Sequence, residues 1–407
     1  MTRTLRVLAL AFAATASVAA QQVAVTEFTV AGIPVILKPV TANDVVAVRL
    51  YLRGGSANLT AQTAGIESFI GAMATEGTAR YGKDDFAARA TAVGVDFGAE
   101  AERDYTVFSV RGVREHWDVT WDLFTQAALH PTFPESELGT VREQLLNALR
   151  QRTDDPDAFL QHLADSALFA GHPYAVDPEG TERAVTALTR ADLVRWHAAR
   201  MTKENLLLVV VGNVSRADLQ AKVAAAFGAL PARGGRAAVA PALGARTPAV
   251  AVAPRELPTN YVTGVFPVPN LADPDFAPLR VATDILSDRL FEEVRTKRNL
   301  SYAVFAGVQN ARANFGSVYV TAVDPDATLR VMLAEVRRVQ DEPIDPERIG
   351  QSINTYLTQY FMGQEANMSQ AARLGVYELT GGGWERSESF ISRIRAVTPA
   401  EIQRVAR

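Results

Sequence analysis

The sequence predicts an α+β protein, and three observations lead to that fold class. The chain has 407 residues, which is the length of two ordinary domains. Strand patterns and helix patterns are mixed along it without the strict alternation of a parallel α/β fold. A segment at 231–248, rich in Ala, Gly, Arg and Pro, separates two halves of similar style. Direct similarity between the halves is too weak to establish a duplication.

Composition sets limits on the function. Apolar residues make up 48% of the chain and charged residues 21%, which is the profile of a globular protein with a large core. The 41 basic and 45 acidic residues give a net charge of −4, which argues against nucleic acid or an anionic membrane as the main partner. Because the chain has no cysteine, it has no disulfide, thiolate ligand or cysteine nucleophile.

Residues 1–20 have the pattern of a cleaved secretory signal. Arg3 and Arg6 precede an apolar, alanine-rich stretch at 7–18, and small residues follow at 18–20. A membrane anchor is the alternative, although the stretch is short for a membrane span. We therefore expect a periplasmic or secreted protein, with no membrane span in the mature chain.

The first half, residues 21–230, contains the first set of elements in the order strand, strand, helix, strand, three helices, strand, helix. The predicted ranges are 23–40 with a turn at 32–34, 45–52, 66–75, 104–113, 115–128, 135–152, 158–169, 206–211 and 217–227. The aliphatic run at 206–211 predicts a strand that is buried on both faces.

The second half, residues 249–407, follows the linker at 231–248 and repeats the mixture. Strands are predicted at 260–268, 301–308 and 317–323, and helices at 276–295, 327–340, 346–361 and 388–396.

The helix predicted at 66–75 carries the pattern with most chemical content. Five apolar residues at helical spacing predict a face that points into the core: Ile66, Phe69, Ile70, Met73 and Ala74. On another face, Ser68 and Ala72 lie four residues apart, with Gly71 beside Ala72. A metal-binding helix would place two histidines and a carboxylate at such positions.

The segment 65–78 resembles the signature helix of the pitrilysin, or insulinase-like, zinc peptidases, the inverzincins. The apolar and glycine frame of their H-x-x-E-H helix is present as Gly65, Ile66, Phe69, Ile70, Met73, Gly77 and Thr78. The resemblance implies that the two histidine ligands correspond to Ser68 and Ala72, and the catalytic glutamate to Gly71. It also implies two similar domains, each a mainly antiparallel sheet packed with helices on one side.

The third zinc ligand of that family is a glutamate seven residues after another glutamate on a later helix. The matching region is 141–150, where Glu143 corresponds to the first carboxylate and Arg150 to the ligand. A cation at that position opposes metal binding. We therefore expect no metal and no catalytic residue of its own on this chain.

Other stretches support the resemblance. Residues 171–174, 180–182, 188–193 and 205–213 resemble family runs in the first half, and 289–302 resembles R-L-F-x-x-L-R-x-x-x-x-L-x-Y in the second. In the family, an arginine and a tyrosine at this spacing reach the substrate beside the zinc. The resemblance therefore implies substrate-binding roles for Arg295 and Tyr302, whose donors suit a peptide carbonyl. Without it, the two would be an ordinary surface pair.

Two other patterns indicate structure rather than chemistry. A metal site from His162 and His172 lacks a known ligand spacing, and His172 before Pro173 is more typical of an ordered loop. The acidic residues at 154–157 are typical of a helix N-terminus.

The resulting hypothesis is the non-metal subunit of a heterodimeric periplasmic zinc peptidase. The expected partners are a homologous subunit that carries the zinc motif, with zinc on that chain, and an unfolded peptide substrate. The alternatives are a non-enzymatic peptide-binding or scaffold protein and, less favoured because every ligand position is altered, an autonomous peptidase.

Overall fold

The computed structural model describes residues 24–407, so the predicted signal at 1–20 lies outside the described residues. The first half contains six strands: β1 (Thr26–Val30), β2 (Ile33–Pro39), β3 (Val45–Arg53), β4 (Asp96–Ala101), β5 (Tyr105–Val113) and β6 (Leu206–Gly212). Its helices are α1 (Ile66–Met73), α2 (Lys83–Val93), α3 (Trp117–Leu129), α4 (Glu135–Asp154), α5 (Pro156–Leu168), α6 (Glu182–Ala187), α7 (Arg190–Arg200) and α8 (Arg216–Phe227).

The second half contains three strands: β7 (Asn260–Pro267), β8 (Val304–Val308) and β9 (Phe315–Ala322). Its helices are α9 (Phe276–Leu290), α10 (Pro325–Asp341), α11 (Pro346–Gly363), α12 (Asn367–Thr380), α13 (Glu385–Arg395) and α14 (Pro399–Ala406). The α+β fold class predicted from the sequence is confirmed.

The first sheet has the order β1-β2-β6-β3-β5-β4. The pair β2 and β6 is parallel, and the other neighbours are antiparallel. The second sheet has the order β7-β9-β8 and is antiparallel throughout. Its pairing reproduces the β3-β5-β4 part of the first sheet, so the two halves share one sheet motif.

The main core lies between one face of the first sheet and the helices of the same half. Trp117 and Trp121 of α3 pack there with ring centroids 5.4 Å apart. Asp155 caps α5, since its side chain accepts a hydrogen bond from the Ala158 amide, as the acidic run at 154–157 predicts.

The other face of the first sheet is covered by α12 of the second half. Ala371 and Leu374 pack against Val209 and Tyr51, and the Tyr51 hydroxyl donates to the Ala372 carbonyl at 3.3 Å. Every residue of β6 is buried, because α12 covers the face that the first half leaves open. The strand predicted at 206–211 is therefore buried on both faces, as expected.

The segment between the halves has neither helix nor strand over 228–259, and it is attached to the first half. Asn205 and Asn58 hydrogen-bond to its backbone, and Arg255 lies over the Phe159 ring at 4.5 Å. The domain limits at 230 and 249 remain predictions that fall inside this segment.

Candidate functional site

The residues of α1 that resemble the family's zinc-binding helix lie on two faces of the helix. Ile66, Phe69, Ile70 and Met73 are buried in the main core, as their spacing predicts. Ser68, Gly71 and Ala72 line a cavity of about 510 Å³ on the opposite side, which we call the α1 cavity. The edge strand β4 forms a second wall through residues 97–101.

Metal ligands are missing from the α1 cavity where the family places them. The Ser68 hydroxyl donates to the Pro178 carbonyl at 3.1 Å, and Gly71 and Ala72 carry no donor atom. Across residues 24–407, no group of three or more His, Asp or Glu side chains is arranged to hold a metal ion. The side chains at this place therefore do not fit a zinc ion.

Gly71 also shows that α1 lies close to β4. A Cβ atom at Gly71 would stand 2.9 Å from the Ala99 Cβ, closer than carbon atoms pack. A glutamate at this position would require α1 or β4 to move. The position of the family's general base therefore holds a residue without a carboxylate, and its close packing against Ala99 also leaves no room for a glutamate side chain.

Arg150, the predicted third ligand position, does not line the α1 cavity. On α4, the residues that line the α1 cavity are Leu145, Ala148 and Leu149, at the i, i+3, i+4 spacing of one helix face. Arg150 lies outside the cavity, with its guanidinium 3.3 Å from Glu182 and 3.9 Å from Glu143. None of the three α4 residues that line the cavity carries a ligand atom, and the correspondence of Arg150 to the third ligand stays a prediction beside the alternative Ala148.

His172 orders a loop, as the sequence predicts. Its Nδ1 accepts from the Tyr174 amide at 3.1 Å, and its Nε2 lies 3.1 Å from the Pro241 carbonyl oxygen. Both ring nitrogens are thus used by the backbone, so His172 has none left for a metal.

The segment that carries Arg295 is a π-helical turn, Phe291–Thr296, at the end of α9. The Lys297 amide donates to the Glu292 carbonyl five residues earlier at 2.9 Å. Such turns are rare and occur frequently at functional sites. The wider turn leaves the Glu293 carbonyl available, and the Arg298 guanidinium donates to it at 2.9 Å.

Arg295 lies between two aromatic rings on the surface. Its guanidinium carbon is 4.2 Å from the centroid of Tyr302 and 4.8 Å from that of Phe291. Tyr302 is 80% exposed and Phe291 45%, so the cluster projects toward solvent. Stacking of this kind fixes the plane of a guanidinium while leaving its N–H edge available.

Ion pairs hold the π turn in place. Glu292 contacts Lys297 at 2.8 Å and Arg348 of α11 at 2.9 Å, and Glu293 contacts Lys297 at 2.7 Å and also Arg298. Hydrogen bonds from Lys297 and Arg348 lower the pKa of Glu292 to about 2, so its carboxylate is charged at neutral pH. The turn is thereby tied to α11 as well as to α9.

The structure brings Arg295 and Tyr302 together but does not place them in the α1 cavity, whose walls belong to the first half. Within one chain, the arginine–tyrosine pair and the altered zinc positions are therefore separate. Sequence reasoning missed Phe291, although its i, i+4 spacing to Arg295 is a signal that could have identified it.

Comparisons with known proteins match both halves of the chain to the same peptidase family. Residues 35–181 match the family model described as Insulinase (Peptidase family M16), and residues 187–356 match the one described as Peptidase M16 inactive domain. An uncharacterized zinc protease of Mycobacterium tuberculosis is 26% identical over 388 residues, covering 92% of this chain and 88% of that protein.

Two further relatives lack an assigned peptidase activity in their descriptions. A non-peptidase homolog of Helicobacter pylori is 23% identical over 352 residues, covering 79% of this chain and 81% of that one. The crystal structure of a peptidase M16 inactive domain from Pseudomonas fluorescens superposes with a TM-score of 0.86 at 22% identity, covering 94% of both chains. At that identity the superposition establishes the fold alone.

Proposed function

The chain belongs to peptidase family M16, the insulinase family, and on this premise we propose that it is the non-metal-binding subunit of a zinc peptidase. Its partner is a homologous subunit that carries the intact zinc motif, with the zinc on that subunit. This chain supplies Arg295 and Tyr302 to the partner's site, and the substrate is an unfolded peptide.

The α1 cavity supports the first part of the proposal. Ser68, Gly71, Ala72 and Ala148 provide neither ligands for a metal nor a carboxylate to accept a proton from water. Because Gly71 packs against Ala99, hydrolysis at this place would need rearrangement of the backbone. The proposal therefore places metal-dependent cleavage on the partner chain.

The single observation that carries the proposal is that the hydrogen-bond donors of the arginine–tyrosine pair are unused. Among residues 24–407, neither the Arg295 guanidinium nor the Tyr302 hydroxyl has a hydrogen-bond partner, although four ion pairs hold the π turn beneath them. Stacking on the exposed Tyr302 ring orders the Arg295 guanidinium and leaves its donors free. The guanidinium is therefore preorganised to bind an acceptor from another molecule.

The chemistry available to the pair is binding and electrostatic stabilisation. Arg295 can donate to a peptide carbonyl through two parallel N–H groups, and the Tyr302 hydroxyl adds a third donor. Donors of this kind stabilise the negative charge that develops on the carbonyl oxygen during hydrolysis. When bound on the partner, zinc would supply the Lewis acid and the activated water.

We further propose that the protein acts in the periplasm or is secreted. The support is the pattern of residues 1–20. In the described part of the chain, no helix has the length and apolar character needed to span a bilayer. Fractionation of the source cells and N-terminal sequencing of the purified protein test this location.

The experiment for the main proposal is a peptidase assay with a quenched-fluorescence peptide. The chain alone, the zinc-motif homologue of the same organism alone, and an equimolar mixture are compared with and without a chelator. We expect cleavage in the mixture to exceed the sum of the separate rates and to stop on chelation. Cleavage by this chain alone would contradict the proposal, and a stable complex without cleavage would favour the scaffold alternative.

A further inference from the structure

A second and larger cavity, which we call the interdomain cleft, lies between the two halves and has a volume of about 730 Å³. Its N-terminal wall is formed by residues 102–105, between β4 and β5, and by α5. Its C-terminal wall is formed by α9, α11 and α12. Glu102 lines both this cleft and the α1 cavity, so the two cavities meet there.

The C-terminal wall carries two arginines that are stacked on two tyrosines. The Arg280 guanidinium lies 5.5 Å from the Tyr356 ring centroid, and that of Arg373 lies 4.4 Å from the Tyr360 centroid. The two rings are one helical turn apart on α11, with centroids separated by 6.3 Å. The rings restrict both guanidinium planes, so less side-chain entropy is lost when a ligand binds.

One of these arginines forms no ion pair within the described residues. Arg280 pairs with Asp284 at 3.3 Å. Arg373 donates to the Ser387 carbonyl, but no carboxylate of the described chain lies within 4.0 Å of it. Burial lowers the pKa of the Arg373 guanidinium, and the charges of Tyr377 and Glu388 act in the opposite direction without forming an ion pair with it. The C-terminal wall thus has one positive charge that is not in contact with a carboxylate.

The opposite wall is acidic. Arg103 pairs with Asp165 at 2.7 Å, and Asp104 accepts from the Arg312 amide at 2.9 Å. The exposed carboxylate of Glu102 has neither an ion pair nor a hydrogen bond within residues 24–407. Glu102 and Arg373 therefore line one cleft with charges of opposite sign, and neither is in an ion pair within residues 24–407.

We propose that the interdomain cleft binds a short peptide in its zwitterionic form, with the α-carboxylate on Arg373 and the α-ammonium on Glu102. A single guanidinium without an ion pair matches a monoanionic carboxylate better than a phosphate dianion, which the acidic wall would also repel. The tyrosines and Phe276 offer contact area for apolar side chains. Only the choice of a peptide as ligand rests on the proposed function.

The test uses the whole chain without any zinc-bearing protein and the tripeptide Ala-Phe-Leu as probe. Isothermal titration compares four forms: free, N-acetylated, C-amidated and blocked at both ends. We expect the free form to bind, and each block to weaken binding by about tenfold, because each removes one charge-assisted contact. A failed peptidase assay with the partner would leave this result unaffected, so the two proposals can fail separately.

Two variants test which residue binds which terminus of the peptide. In Arg373→Gln, C-amidation should no longer weaken binding while N-acetylation still does, and Glu102→Gln should show the reverse. Arg216→Gln, which alters an arginine stacked on Phe28 at 4.3 Å on the first half, is the matched control and should bind like the wild type. Equal binding of all four forms, no saturable binding of the free tripeptide, or unchanged discrimination in both variants would overturn the proposal.

Discussion

At the scale of single residues, the buried carboxyl of Glu67 is an unusual feature of α1. It faces the core rather than the α1 cavity, and it accepts hydrogen bonds from the Thr106 hydroxyl at 2.6 Å and the Trp196 indole at 3.2 Å. Burial raises the pKa of Glu67, although these two bonds and the nearby Arg200 guanidinium act in the opposite direction. The folded chain therefore favours the protonated carboxyl more than the unfolded chain does.

A raised pKa gives a definite pH dependence. The stability that Glu67 contributes is fully present below its unfolded pKa of about 4.3 and is lost as pH rises through the folded pKa. Glu67→Gln removes the ionisable carboxyl and keeps the size and shape of the side chain. We expect the free energy of unfolding of the variant, relative to wild type, to increase from pH 5 to pH 8. Urea denaturation at both pH values measures it, and a constant difference would show that Glu67 does not titrate in this way.

Rebuilding a metal site distinguishes the two candidates for the third ligand position, Ala148 and Arg150. Ser68, Ala72 and Ala148 line one cavity, whereas Arg150 faces Glu182. We expect the triple variant Ser68→His, Ala72→His, Ala148→Glu to bind zinc at least about tenfold more tightly than the same pair of histidines combined with Arg150→Glu. Competition with a zinc-sensitive dye measures the two affinities. Equal affinities, or tighter binding by the Arg150→Glu combination, would support Arg150 as the third position.

At the scale of elements, the contact between α12 and the first sheet joins the two halves. Gly375 lies against the ring of Tyr51, where a Cβ would stand 2.2 Å from the ring carbon Cε2 and 2.5 Å from the hydroxyl oxygen. The Asn367 side chain donates to the Val45 carbonyl at 2.6 Å and anchors the first turn of α12. The helix can approach this closely because position 375 has no side chain.

We therefore expect Gly375→Ala to destabilise the protein by about 1–3 kcal/mol through overpacking, despite the better helix propensity of alanine. Gly350→Ala in α11 is the matched control, since no atom lies within 4 Å of its added Cβ. That change should stabilise by about 0.4–1 kcal/mol. Urea denaturation of both variants gives the two values, and equal effects would mean that α12 is not closely packed on Tyr51.

Sequence patterns identified elements whose signal is local. The aliphatic run of β6 predicted burial on both faces, and the spacing along α1 predicted its core side. Helix α12 and strand β4 were missed. The helical pattern of α12 is interrupted by Gly375. A glycine is needed there because the ring of Tyr51, more than 300 residues away in sequence, leaves no room for a side chain. In β4, Gly98 and two alanines give no strand periodicity, because its packing is set by α1.

At the scale of the whole molecule, the candidate site was predictable in residue type but only partly in position. The motif frame around 65–78 predicted the loss of zinc ligands at Ser68 and Ala72, and both positions line one cavity. The assignment of Arg150 followed a seven-residue spacing between carboxylates, and spacing alone does not specify which face of α4 meets α1. The stacking of Arg295 between Phe291 and Tyr302 depends on a π turn, and no residue pattern in 291–296 predicts that geometry.

The arrangement of the two halves is also consistent with the proposed partner chain. The altered zinc positions lie in the first half, while the exposed Arg295–Tyr302 pair lies in the second and does not line their cavity. A pair with free donors and no metal beside it is consistent with a site completed by another chain.

The most direct measurement is therefore kcat/KM for a quenched-fluorescence peptide in the mixture of this chain with its zinc-motif homologue. We predict that Arg295→Ala and Tyr302→Phe each lower kcat/KM, by up to about 100-fold for the arginine, because they remove donors to the carbonyl oxygen. The control Arg216→Ala, which loses a comparable cation–π contact with Phe28, should leave kcat/KM unchanged. Full activity of the Arg295→Ala and Tyr302→Phe mixtures would contradict the shared active site.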